Sequence, residues 1–231
     1  HLLSVNGDHG DKSSAGRVEF SLDLTGRAFG TNGLLVVAAT TATNSGYTFG
    51  PGTTFVPTSK LDRAGGALNN GAVSILLVGS AAAIPEDQDL DAGDNGVLEG
   101  LPADAVIMDA FGWRNSGSDV VYGGIDLTQD GFTPDAASRV PGSNAPLSAA
   151  SWMAGDLAGA TGETGNFDFH NVSTNLPPGS ILTPGVVNRT APKVTFLTPL
   201  SHVIGDPDNP EITFTVSDTV TPAASLIVTA T

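Results

Sequence analysis

The chain has 231 residues, 24 of them Asp or Glu and only nine Lys or Arg, for a formal net charge of −15. That balance argues against binding the phosphate backbone of nucleic acid, which needs clustered cations, and against adhesion to anionic membranes. There is no cysteine, so disulfides and thiolate metal centres are excluded, and no run approaches the ~20 apolar residues of a membrane-spanning helix.

The 29 Gly and 15 Pro, with Thr, Ser, Val and Ala abundant and long amphipathic helical patterns missing, predict an all-β fold of short strands joined by turns. The length leaves room for one large or two medium domains. Val18-Glu-Phe-Ser-Leu-Asp-Leu24 alternates apolar and polar residues and predicts a half-buried strand. Leu34-Leu-Val-Val-Ala-Ala39 is apolar on both faces and predicts a central strand covered on two sides. Residues 40–71 read as long loops with a short strand near Tyr47, and Ala72-Val-Ser-Ile-Leu-Leu-Val78 as a second core strand. Ala105-Val-Ile-Met-Asp-Ala-Phe-Gly-Trp113 reads as a further strand, with Asp119-Val-Val-Tyr-Gly123 as its neighbour. Residues 128–150 read as mostly irregular, Ser148–Met153 as one helical turn, and the Pro-rich 175–185 as a closing segment without regular structure. Beyond Val187–Pro192, three alternating segments (Val194–Leu197, Glu211–Ser217 and Ser225–Thr229) recur at sandwich spacing.

Between two of these strands lies Glu86-Asp-Gln-Asp-Leu-Asp-Ala-Gly-Asp-Asn-Gly-Val-Leu-Glu99, six carboxylates in fourteen residues without a Lys or Arg. Carboxylates this crowded repel one another unless solvent or a cation separates them. Acids at alternate positions, an Asp-Asn-Gly turn and a late acid are how short Ca²⁺ loops supply hard oxygen ligands. Counting Asp89 as the first position, Gly96 is eighth and Glu99 eleventh, which is not the EF-hand spacing. The candidate metal ligands are Asp87, Asp89, Asp91, Asp94, Asn95 and Glu99, with Ca²⁺ as the ion. The competing expectation is a solvated acidic loop between two strands.

Residues 1–123 resemble a lamin-tail-like β-sandwich module of large secreted bacterial multidomain proteins. The matching pieces are His1–Asp8, Leu22–Gly26, Gly33–Val37, Ser74–Val78, Asp89–Glu99 and Ala105–Ala110. The resemblance implies a sandwich whose first strand is missing here. Residues 124–188, with Ser148–Asp156 and Leu182–Asn188, resemble the extension that follows such modules. Residues 189–231 resemble the opening of a bacterial Ig-like or cadherin-like repeat, a partial second domain.

Catalytic groupings are harder to find. The histidines are His1, His9, His170 and His202, and none sits in a recognisable nucleophile–base arrangement. Asp168 and His170 would share one face of a strand, where His170 reads as a surface or hydrogen-bonded histidine with a metal ligand as the alternative; Asp8, His9 and Asp11 form a loose polar group, and Asp206–Glu211 reads as a turn with Ca²⁺ binding as the alternative. Aromatic residues make up only 6% of the chain, few for a sugar cleft, and Trp113 and Trp152 are expected to pack rather than bind. The expected function is a non-catalytic structural or interaction module, extracellular or on a bacterial cell surface. Its expected partners are other domains of the same polypeptide or neighbouring copies, as in a fibre. The alternatives are an accessory domain of a secreted nuclease or phosphatase, and a carbohydrate-binding sandwich.

Overall fold

The computed structural model describes residues 1–10, 13–40, 49–62, 68, 71–128 and 133–157, and beyond these the backbone of the strands within 167–172, 193–196 and 214–217. The described chain is nearly all strand, and the all-β expectation holds. No helix among the described residues is long and apolar enough to cross a membrane.

Four strands form the main antiparallel sheet: β1 (Leu2–Asn6), β2 (Val18–Leu22), β5 (Val73–Gly79) and β6 (Val106–Trp113), in the order β2-β1-β5-β6. Period-2 alternation sends Leu3 and Val5 of β1, Val18 of β2, Leu76 and Val78 of β5 and Ala110 of β6 into one core. Register follows from that pattern, since Leu3 opposes Leu76 and Leu76 opposes Ala110. The core is closed by Ile84, Leu90 and Tyr122, with Leu98 and Leu101 packed against it. Four of these five come from residues 84–101, so the acidic segment is the second layer on this face.

The other strands form smaller groups. β3 (Leu35–Ala39) pairs in parallel with β4 (Thr54–Thr58), β8 (Trp152–Leu157) lies between β7 (Ala136–Arg139) and β9 (Phe167–Val172), and β10 (Lys193–Phe196) pairs with β11 (Phe214–Ser217). On the opposite side of the main sheet, Phe111 packs against Trp152 at a ring separation of 4.4 Å. Arg139 sits 4.3 Å over the Trp152 ring and pairs with Asp109, tying β7 to both β8 and β6.

Several expectations change. Among the described residues Leu35–Ala39 has one strand neighbour rather than two, and all five of its residues are only half-buried, unlike the covered central strand expected. Its doubly apolar pattern reflects a two-stranded parallel pair whose crossover spans 40–53. The loop expected over 40–71 contains β4, and the irregular stretch expected over 128–150 contains β7. Residues 119–123 form no strand, because their backbone donors go elsewhere: Val120 N–H to the Gly7 carbonyl and Tyr122 N–H to the Ser74 hydroxyl. The short helical turn does form, as a 3-10 turn at Ala149–Ser151. Tyr47, the 175–185 segment and Ser225–Thr229 lie outside the described residues.

Candidate functional site

The acidic segment is pinned at both ends by backbone pairing. Val18 N–H donates to the Gln88 carbonyl at 2.9 Å and Asp87 N–H to the Val18 carbonyl at 2.8 Å, so the chain runs briefly beside β2. Leu90 N–H then bonds Gly16 O at 2.9 Å, and Gly100 N–H returns to Leu90 O at 3.0 Å. Leu90 is thereby delivered to the core, and its neighbour Asp91 goes in with it.

Asp91 is 0% exposed, yet its carboxylate is well supplied with donors. The Asn95 N–H donates to Oδ1 at 2.9 Å, while the Gly96 N–H and the Tyr122 hydroxyl donate to Oδ2, each at 2.8 Å. His9 Nε2 stands 3.8 Å from the same Oδ2. Burial alone would raise the Asp91 carboxyl, but the N–H groups of Asn95 and Gly96 and the Tyr122 hydroxyl together hold it below the ordinary aspartate range. Tyr122 answers in the opposite sense. Burial first, then its bond to Asp91, push its phenol well above the usual tyrosine value. The arrangement requires a glycine at position 16, where φ is +72° and an added Cβ would lie 2.5 Å from the Asp91 Cβ.

The other candidate ligands surround this anchor without converging on one point. Asp89 Oδ1 accepts from the Asp91 N–H at 3.0 Å, and its Oδ2 lies 4.0 Å from Arg17 Nη2. Asp94 takes a left-handed φ of 47° and donates its N–H to the Asp91 carbonyl. Glu99 reaches back across the turn, accepting from Asn95 Nδ2 at 2.5 Å and the Gly93 N–H at 3.3 Å. Asn95 Oδ1 takes the Val97 N–H at 2.9 Å. Asp87 is exposed, with a φ of 64°, and its carbonyl accepts from Arg17 Nη1 at 3.0 Å. Glu86, just upstream, pairs with Lys60 at 3.1 Å.

The fold therefore brings Asp91, Asn95 and Glu99 into one hydrogen-bonded turn and directs Asp89 toward Arg17. Among the described residues no three His, Asp or Glu side chains are grouped closely enough to share an ion. As placed, the six candidates do not form a single ligand shell, and Asp91 faces inward.

Two members of this cluster were not legible as such in the sequence. His9 stood out only as part of a loose polar turn, and Tyr122 as a strand residue. The one available signal was a tyrosine 31 residues after Asp91, and a buried phenol needs a polar partner. Of the other polar groups, Asp8 accepts the Gly10 N–H, and the side chains of Asp168 and His170 and the Asp206–Glu211 turn lie outside the described residues. Set against protein-family models, curated proteins and solved structures, the chain matches none.

Proposed function

We propose that this chain is a non-catalytic structural or interaction module of an extracellular or cell-surface bacterial protein, built as a lamin-tail-like sandwich. The observation that supports this reading is the inward turn of Asp91. The polar cluster most suggestive of chemistry is used to fasten residues 84–101 to the sheet, with both carboxylate oxygens bonded inside the fold. A carboxylate kept for catalysis or ion capture would present at least one oxygen to a cleft. The Ca²⁺ anticipated from the sequence enters this reading as an addition at the loop's outer side, where Asp87 and Glu99 are exposed.

Melting the protein with Ca²⁺ and with excess chelator tests both parts. A loop that binds the ion only when folded gains stability by mass action, about 2.7 kcal/mol at a hundredfold excess over Kd. An unchanged melting temperature removes Ca²⁺ from the reading and leaves the Asp91 anchor standing. Hydrolysis of a phosphodiester or phosphomonoester by the purified chain would overturn the non-catalytic assignment.

A further inference from the structure

Four of the eight exposed large apolar side chains among the described residues gather in one place: Leu77, Val106, Met108 and Leu147. Leu77 opposes Asp109 across β5 and β6, the Leu147 N–H donates to Asp109 Oδ1 at 3.0 Å, and Met108 packs toward Gly79, opposite Val106. Leu77 and Asp109 also line a cavity of about 190 Å³, together with Leu2, Ile75, Ala110, Phe111 and Trp152. Small-molecule clefts begin at about 300 Å³, so this one is sized for a single large side chain.

The same strand ends the sheet. β6 pairs with β5 on one side only; on its outer side, among the described residues, only its far end is bridged, where Gly112 exchanges hydrogen bonds with Ile125 and Leu127. Among the described residues, Val106 to Ala110 pair with no other strand on that side, although the Ala110 N–H is taken by the Asp109 side chain at 3.0 Å, and they lie next to an apolar pocket. A bulge interrupts the ladder to β5 at Met108, a common way to blunt an edge. Protected edges also carry charge, usually lysine; the charge on this one is Asp109, which is paired with Arg139, beside exposed valine and methionine.

We propose that the Val106–Ala110 edge and the adjoining cavity dock an extended segment of a partner protein, with one large apolar side chain as anchor and basic residues flanking it. Backbone pairing would supply affinity and the pocket selectivity, as in strand addition generally. The basic flanks follow from charge: the chain carries a net −15, and Asp104 stands two residues before this edge. A second copy of this chain would bring a further −15 to the same edge and is disfavoured for that reason. The neighbouring cation Arg139 is already engaged by Asp109 and the Trp152 ring.

This proposal rests on the interaction-module reading but has its own test. Two synthetic ten-residue peptides of alternating valine and threonine with a central leucine are titrated into the full chain, one flanked by lysines and one by glutamates. The lysine peptide is expected to saturate, to weaken with salt, and to slow amide exchange at Val106–Ala110. The glutamate peptide should bind at least about tenfold more weakly. The double variant Leu77→Gln, Met108→Gln, altered only at exposed positions, should lose binding about tenfold and keep its melting temperature. Equal binding of both peptides, binding unaffected by the double variant, or no saturation by about 1 mM would overturn the proposal. So would a dimer that this variant abolishes, or protection in the free monomer of the amides of residues 106–109 that face away from β5, which would identify a second copy or the chain itself as the occupant. None of these outcomes touches the Asp91 anchor or the chelator result.

Discussion

Replacing Asp91 by Asn isolates the interaction on which the acidic segment depends. The carboxylate accepts three hydrogen bonds, from Asn95 N–H, Gly96 N–H and Tyr122 O–H, at a fully buried position. The amide has nearly the same shape but only one acceptor atom. In its better orientation the oxygen keeps Gly96 and Tyr122 while the NH₂ meets the Asn95 N–H head-on. One hydrogen bond to a charge is lost, worth about 1.5–3 kcal/mol, and a buried donor is left unsatisfied at about 1–3 kcal/mol more. The expected destabilisation is about 3–5 kcal/mol, a large part of the ~5–15 kcal/mol that holds a typical domain together. At roughly 2–4 °C per kcal/mol for a chain of this size, the melting temperature should fall on the order of 10 °C. The pH dependence provides a second reading. Asp91 has a folded pKa below its unfolded value, so its contribution is fully present above the ordinary aspartate range, near 3.9. It is lost as pH falls through the depressed folded value. The gap between wild type and Asp91→Asn should therefore be constant at neutral pH and shrink in strong acid. Calorimetry and urea melts from neutral to acidic pH measure it. A gap under about 1 kcal/mol at neutral pH, or one that does not narrow with acid, would refute the anchor.

Tyr122→Phe removes one of the three donors and should destabilise by about 1.5–3 kcal/mol; in a double-mutant cycle with Asp91→Ala, which removes both acceptor oxygens, the two effects should be strongly non-additive, and simple additivity would mean the bond is absent in solution. Because the Tyr122 phenol is raised above its unfolded value, its neutral form stabilises the fold below about pH 10 and that contribution is lost at higher pH; ultraviolet titration should show it ionising only as the protein unfolds. Gly16→Ala combines a φ of +72° with a 2.5 Å approach to Asp91 and should cost about 2–4 kcal/mol, read as a lower urea midpoint at unchanged slope. Arg139→Met keeps the stem but removes the cation from Trp152 and Asp109; a loss of about 1–2 kcal/mol and a shifted tryptophan emission are expected, and an unchanged spectrum would show that the ring contact is not formed.

What could be read from the sequence divides along the range of the forces involved. β2, β5 and β6 were legible to within two residues because side-chain alternation is local and each strand has one buried face. β4 and β7 were missed because they are short, carry a Pro or follow one, and are strands only by virtue of a neighbour. The apparent strand at 119–123 failed for the converse reason. Its apolar residues are real core material, but Gly7 and the Ser74 hydroxyl take its backbone donors before a ladder can form. The acidic segment was recognised at once, while the burial of Asp91 against Tyr122 was not. Spacing shows which oxygens lie close along the chain and nothing about the phenol that arrives 31 residues later.

That difference bears on how acidic loops should be interpreted in ion-poor conditions. A run of carboxylates can be relieved by a cation or by donors from its own fold, and the two solutions leave different traces. An ion collects several carboxylate oxygens at one point, whereas internal donors disperse them. Here the dispersal is visible residue by residue: Asp91 inward to Tyr122, Asp89 toward Arg17, Glu99 back over Asn95 and Gly93, Glu86 to Lys60. Four of the six carboxylates are thus engaged within the fold, with the deepest converted into a core contact. Residues 84–101 then cover the sheet because the acid at their centre is buried, and removing its charge should loosen the layer that closes the core.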